Sequence, residues 1–170
     1  VVGYNSFDVE QYSLSTPWDV STASYDSKSF DVNSEEASPQ DVFFKPDGTK
    51  MYVIGNNTND VEQYSLSTAW DVSTASYDSK SFNVNSEETS PRSLFFKPDG
   101  TKLYISGENT DDVEQYSLST AWDVSTASYD SKNFDTSAQE SGLLGHTFKP
   151  DGKKMYVIGT TDTAYQYTLS

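Results

Sequence analysis

Between Asp41 and Val84 the chain spells four short segments whose hydrophobic pattern is either continuous or alternates with a period of two, and none has the 3.6-residue period of a helix. "DVFFK" (41–45) is a short apolar run, as expected for a strand buried on both faces. It leads into "KPDG", where Pro46 presets φ, Asp47 is placed to bond the local backbone and Gly48 supplies a positive φ, so a chain reversal is predicted. "KMYVIG" (50–55) is apolar on both sides and is expected to be a central strand. After the polar turn "NNTN", "DVEQYSLS" (60–67) alternates Val61, Gln63 and Ser65 against Glu62, Tyr64 and Leu66. The last segment, "SYDSKSFNV" (76–84), is mostly polar and carries Lys80 at its centre, a pattern that blunts an exposed sheet edge.

These four segments form a unit that recurs. "FFKPDGTKMYVIG" (43–55) returns 52 residues later as "FFKPDGTKLYISG" (95–107) and again as "TFKPDGKKMYVIG" (147–159). "DVEQYSLST" stands at 8–16, 60–68 and 112–120, and a shortened relative, "AYQYTLS", at 164–170. Residues 8–52 and 60–104 differ at only seven of 45 positions. Four antiparallel strands, apolar inside and charged at the outer edge, repeated at a fixed long period, predict an all-β fold: a β-propeller of four-stranded blades. A linear β-solenoid is the competitor, and it normally repeats in shorter coils. The expected organisation is a single array over 1–170, with a partial blade at 1–36, blades at 37–88 and 89–140, and a partial blade at 141–170.

"FKPDGTKMYVIG" followed by "VEQYSLST" resembles the YVTN-type β-propeller repeats, relatives of the lactonase-like propellers, and the resemblance covers essentially the whole chain. Its specific part is the "PDG-x-K-x-Y-V" core. The unit departs from the commoner blade repeats of about 40–45 residues in its length, and the excess lies in the insert "STAWDVSTA" between third and fourth strands. The resemblance implies the fold; activity does not travel with a blade, since propellers host many unrelated functions.

Composition narrows the function classes. Aromatic residues make up 14% of the chain and recur at fixed intervals, which sets disorder aside. With 26 acidic against 11 basic residues the net charge is −15, a surface that repels phosphate backbones and anionic membranes, so nucleic acid is not an expected partner. Cysteine is absent, which excludes disulfides, thiolate metal sites and a cysteine nucleophile. No stretch approaches the roughly 20 apolar residues of a membrane span, so membrane insertion is not expected. No cofactor or metal is expected either. The acid pairs Asp8/Glu10, Asp60/Glu62 and Asp112/Glu114 recur at a strand entrance and read as a solvated rim. Trp18, Trp70 and Trp122, one per unit, read as plugs packing each insert against its own sheet.

Where the copies disagree is more telling. "PQDV" (39–42), "PRSL" (91–94) and "LLGH" (143–146) occupy one place, and "NNTN", "ENTD" and "TTDT" another, and in an up-and-down blade both open on the same face. Gln40, Asp41, Arg92, Ser93 and His146 on the inner strands, with Asn56 and Glu108 on the adjoining loops, are therefore the candidate ligand-binding residues. With one His and one Arg in the chain, and no nucleophile paired to a base, no catalytic residue is assigned. The expected function is a non-catalytic binding or structural module of a surface or secreted repeat protein, meeting a protein or glycan; the alternative is a lactonase-like hydrolase or lyase with its site in the central channel. The unequal ends of the array predict either self-association, as a two-fold dimer completing a ring of about six to eight blades, or a natural context in which more repeats follow in the same gene.

Overall fold

The computed structural model describes residues 1–3 and 6–169; Ser170, the end of the closing copy, lies outside the described residues. Among the described residues thirteen strands form four antiparallel sheets. Sheet one is β1 (Asp8–Leu14) with β2 (Ala23–Asp31). Sheet two runs β3 (Pro39–Phe44), β4 (Lys50–Gly55), β5 (Asp60–Leu66), β6 (Ala75–Asn83) in spatial as in chain order. Sheet three repeats it as β7 (Pro91–Phe96), β8 (Lys102–Gly107), β9 (Asp112–Leu118) and β10 (Ala127–Asp135). Sheet four has β11 (Leu143–Phe148), β12 (Lys154–Gly159) and β13 (Ala164–Thr168). The first strands meet at the centre, β7 lying against β3 on one side and β11 on the other. The chain is thus an all-β propeller array of four-stranded antiparallel blades with a 52-residue repeat.

The predicted turns form as expected. Gly48, Gly100 and Gly152 have φ of +73°, +73° and +70°, and the Asp47 carboxylate accepts the Thr49 N–H at 3.0 Å. β4 is buried from Met51 to Gly55, as a central strand should be. Among the innermost strands β3 is less buried than a continuous apolar run predicts, only half-buried past Pro39, whereas β7 buries Ser93, Leu94 and Phe96. Its neighbours cover it through β4 and β7, while its remaining surface faces the axis.

The insert between third and fourth strands is a short 3-10 turn whose aspartate caps it; Asp123, for instance, accepts the Ser125 N–H. Here the structure corrects two expectations. The tryptophan does not pack against its own sheet alone. Trp122 stacks on Phe96 of its own sheet (ring centroids 5.4 Å apart) and on Phe43 of the preceding one (6.4 Å), and the Tyr52 hydroxyl donates to the Trp122 carbonyl at 2.8 Å. Nor does Lys80 merely guard an edge: its ammonium pairs with Asp123 of the next insert at 2.5 Å, and the Val124 N–H donates to buried Gln63 at 3.0 Å. The junction before it repeats part of this set, with Lys28 on Asp71 at 2.6 Å and Gln11 accepting the Val72 N–H at 3.1 Å. A plug that joins two sheets explains why the insert hardly varies between copies.

A third correction concerns the acid pairs. Glu62 and Glu114 are not on a solvated rim; they are 4% and 2% exposed, while Glu10 of sheet one is half-buried, and Glu114 bonds the Thr110 hydroxyl of the adjoining loop at 3.0 Å. Burial, opposed by a Tyr77 hydrogen bond, pushes Glu62 up to about 7, and burial opposed by Thr110 pushes Glu114 up to about 8.

Candidate functional site

The candidate residues gather where the first strands converge. Gln40, Arg92 and Leu144 occupy the same repeat position, and each is the extra residue of a β-bulge, since β3, β7 and β11 slip register across it against β4, β8 and β12. A bulge re-aims a side chain out of the ladder. The Arg92 guanidinium accordingly leaves its own strand, donating from Nη1 to Gln40 Oε1 at 2.5 Å and from Nη2 to Glu108 Oε2 at 2.8 Å. Gln40 is held in turn by its Nε2, which donates to the Ser38 carbonyl at 3.2 Å.

One residue further on, Asp41 reaches across from β3 to β7. Its Oδ2 accepts from Ser93 Oγ at 3.1 Å and from the Leu94 N–H at 3.0 Å, and its Oδ1 from the Val42 N–H at 2.8 Å. Burial raises the Asp41 carboxyl above its usual range, and these three donors pull the other way. Ser93 and His146 line one shallow hollow of about 340 Å³, with Thr147, Tyr156 and Ile158. His146 Nδ1 lies 2.7 Å from Ser106 Oγ, and Nε2 has no partner among the described residues. Burial pushes the imidazole down to about 3, so it is neutral at ordinary pH.

The structure therefore brings five of the seven candidates into two polar groups, Gln40–Arg92–Glu108 and Asp41–Ser93, with His146 beside the second. Asn56 joins through its backbone, whose N–H donates to the same Ser38 carbonyl at 3.2 Å, while its side-chain oxygen is buried without a partner among the described residues. No cluster of three or more His, Asp or Glu suited to a metal occurs among the described residues.

Sequence reasoning missed two groups. Ser106, fully buried, stands where the other copies have Ile54 and Ile158, and it departs from the repeat together with its partner His146, which replaces Val42 and Leu94. Glu36 and Glu88, fully buried, hold the rim loops: Glu36 accepts the N–H groups of Ser38 (2.6 Å), Asn57 (3.1 Å) and Thr58 (3.1 Å). Glu140 does the same for Thr161. The signal was present, since the second residue of "EE", "EE" and "QE" stays Glu at 36, 88 and 140 while its neighbour changes.

No protein-family model matches the chain, and no curated protein matches it. Solved structures do. A protein from Lactobacillus plantarum shares 17% identity at a TM-score of 0.67, covering 99% of this chain and 49% of its own. A candidate 6-phosphogluconolactonase from Bacteroides fragilis shares 16% at 0.65, covering 96% and 45%. The periplasmic gluconolactonase of Pseudomonas aeruginosa shares 16% at 0.60, covering 78% and 37%. The chain spans about half the length of the first two and less of the third. These neighbours are 6-phosphogluconolactonase-like β-propellers, and at such identity the likeness shows the fold. They also correct the expectation of a non-catalytic binding or structural module: the named neighbours are lactonases, which backs the alternative of a lactonase-like hydrolase. No helix of the described residues is long and apolar enough to cross a membrane.

Proposed function

We propose that the chain contributes an axial site to a lactonase-like propeller built of YVTN-type repeats and acting, in an exported setting, on the ring ester of a sugar lactone. The observation that carries this reading is the concentration of repeat-breaking polar residues at the axis of a fold whose neighbours include named gluconolactonases. At the insert and the proline turn the copies are nearly uniform; here each copy differs, with Gln40 and Asp41 in one, Arg92 and Ser93 in the next and Leu144, Gly145 and His146 in the third.

In this reading Arg92, re-aimed by its bulge and steadied by Gln40 and Glu108, faces the oxygen on which negative charge builds as water adds to the lactone carbonyl. Asp41 is the proton acceptor. Its carboxylate takes the water's proton through the Ser93 hydroxyl it already binds, and the proton returns to the ring oxygen as the carbon–oxygen bond breaks. Because burial raises Asp41, turnover rises as pH climbs through that raised value and the carboxylate becomes ionised. Neutral His146 forms the wall beside Ser93 without bringing a second charge to the rim.

Hydrolysis of glucono-δ-lactone and its 6-phosphate, followed by pH-stat against the spontaneous rate, tests the proposal. Turnover that falls about 100-fold or more in Asp41→Asn, with the circular dichroism unchanged, is the expected result. Absence of turnover by the native chain on both lactones between pH 5 and pH 9 overturns it.

A further inference from the structure

The junction between sheets two and three lies inside the array, with four strands on either side. At its rim two buried glutamates meet one hydroxyl. Glu88, from the segment that joins the two sheets, is fully buried, and Glu114 of β9 is 2% exposed. Thr110 Oγ1 stands 2.8 Å from Glu88 Oε2 and 3.0 Å from Glu114 Oε1. A threonine hydroxyl has one proton to donate, and two carboxylates have none. Both contacts are hydrogen bonds only if one of the glutamates brings a proton of its own.

The surroundings say which. Glu88 takes main-chain donors on both oxygens, the Ser90 N–H on Oε1 at 2.6 Å and the Thr110 N–H on Oε2 at 3.2 Å, which is the setting of a carboxylate. Glu114 has its Oε2 buried without a partner among the described residues, and the buried Tyr116 hydroxyl is in the same position. A stranded oxygen costs a neutral acid far less than an anion. The groups that face Glu114 are Asp112 and Tyr116 on its own strand, Tyr129 on β10, and Glu87 and Glu88 on the joining segment, while β6 brings uncharged Phe82 against Tyr116. No lysine or arginine pairs with Glu88 or Glu114 among the described residues. Burial is the first cause of the rise of Glu114 to about 8, and the charges of Glu88 and Asp112 add to it.

The loop that carries Thr110 also carries the rim. Residues 108–111 join β8 to β9, and within them Glu108 accepts from Arg92 Nη2 at 2.8 Å while its N–H donates to the Ser90 carbonyl at 3.2 Å. Glu88 reaches this loop beneath Gly107, where a Cβ would meet its Cδ at 2.6 Å. One repeat earlier the loop is held by amides instead. There Glu36 takes the N–H groups of both Asn57 and Thr58, and the Thr58 hydroxyl donates to Glu36 at 2.8 Å without a bond to Glu62 among the described residues. Loop 108–111 gives Glu88 one amide fewer, and Glu114 takes up the hydroxyl.

We propose that Glu114 is a positioning residue: as a neutral acid it donates to Thr110 Oγ1, which donates to Glu88, and this chain latches the loop that sets Glu108 against Arg92. Loss of the proton leaves two buried carboxylates competing for one hydroxyl, so the loop lifts and Glu108 leaves Arg92. What the latch serves rests on the lactonase reading of the rim; the latch itself does not, and its test reads the loop rather than turnover.

Nuclear magnetic resonance of the full chain, with Glu114→Gln and Thr110→Val, decides it. Glutamine keeps an N–H to give Thr110 at every pH, so Glu114→Gln retains the latch where the native chain loses it. In the native chain the Glu114 side-chain carbon should report a neutral acid at about pH 6, and it should titrate with the same midpoint as the amide shifts of residues 108–111. Exchange of those amides, corrected for its intrinsic pH dependence, should rise at least about tenfold between about pH 6 and about pH 9 in the native chain and less than about twofold in Glu114→Gln. Thr110→Val should exchange as fast at the lower pH as the native chain does at the higher. An ionised Glu114 at about pH 6 overturns the proposal, as does a loop that opens equally in the native chain and Glu114→Gln. Should Glu114→Gln fail to fold by circular dichroism, the native titration decides alone: loop amides that stay still through the Glu114 midpoint overturn the latch.

Discussion

The junction between sheets and the axial rim are built from the same repeat, yet they differ in what the repeat allows to vary. At the junction Trp122, Asp123, Val124, Gln63 and Lys80 recur almost unchanged as Trp70, Asp71, Val72, Gln11 and Lys28. At the rim Gln40, Asp41 and Val42 become Arg92, Ser93 and Leu94, and then Leu144, Gly145 and His146. A junction residue must fit two sheets at once, so any change is felt twice. A rim residue faces the axis and one or two partners, so it can change when a partner changes with it. Uniformity here marks cohesion, and variation in matched pairs marks the place where chemistry can be installed.

The three tryptophans give the strongest way to break that comparison. Trp122 is gripped by two sheets, Trp70 stacks on Phe44 of its own sheet and is 53% exposed, and Trp18 stands free. Replacement by Ala should therefore cost about 3 kcal/mol at Trp122, about 1 kcal/mol at Trp70 and nearly nothing at Trp18, read by denaturant unfolding at low protein concentration. Equal losses at all three would mean that the insert stabilises only its own loop.

The glycine turns sharpen the same point at a smaller scale. Gly100 and Gly152 share their positive φ, but a Cβ at Gly100 would meet the Trp122 indole at 2.4 Å, and one at Gly152 meets nothing within 4 Å. Gly152→Ala should cost about 1 kcal/mol, the strain of a left-handed residue. Gly100→Ala should cost about 2 kcal/mol, because the plug must also move. Equal effects would show that the turn, and not the plug, sets the requirement.

Buried carboxylates give the next effect. Folded Glu62 and Glu114 are raised to about 7 and about 8, so across the interval above the ordinary Glu value the folded chain holds protons that the unfolded chain releases. Stability from these groups is complete below about pH 4.3 and is lost as pH rises through 7 to 8. Asp47 and Asp99 are lowered by their lysine and threonine partners, and Asp130, against the burial that raises it, by Gln115, Lys102 and Ser117; all three take stability away as the solution becomes more acidic than the ordinary Asp value. The melting temperature should peak near pH 4 to 5 and decline by a few degrees toward pH 8. In a Glu62→Gln/Glu114→Gln variant that decline should flatten; an unchanged slope would place the titration elsewhere.

Strands, turns and the sheet order were legible because each rests on a short-range signal: alternation in "DVEQYSL", φ chemistry in "KPDG" and polarity in the fourth strand. The axial convergence of Gln40, Arg92 and Glu108 was legible from position within the unit. The bulge that turns Arg92 toward Gln40 was not, since a register slip depends on the partner strand. The burial of Glu62 was equally hidden: its alternation names a face, and only the neighbouring loop, held by Glu36, decides whether that face meets water.

The smallest net effect tests whether the rim changes in matched pairs. Ser106 and His146 are a polar couple where the preceding junction has Ile54 and Leu94, and they bond to each other at 2.7 Å in a buried setting. Ser106→Ile alone leaves the imidazole Nδ1 without its partner, and His146→Val alone leaves a hydroxyl unpaired among apolar side chains. Each single change should cost about 1–2 kcal/mol, the penalty of an unsatisfied buried polar group. The double change writes the consensus of the repeat back into sheets three and four, so no polar group is stranded and its cost should fall below about 0.5 kcal/mol, a coupling visible in a double-mutant cycle. Additive losses would mean that the two departures arose independently and that His146 is held by something other than Ser106. A double variant that keeps full stability and full lactone turnover would confine His146 to packing, and leave Asp41, Ser93 and Arg92 as the residues on which the proposed chemistry depends.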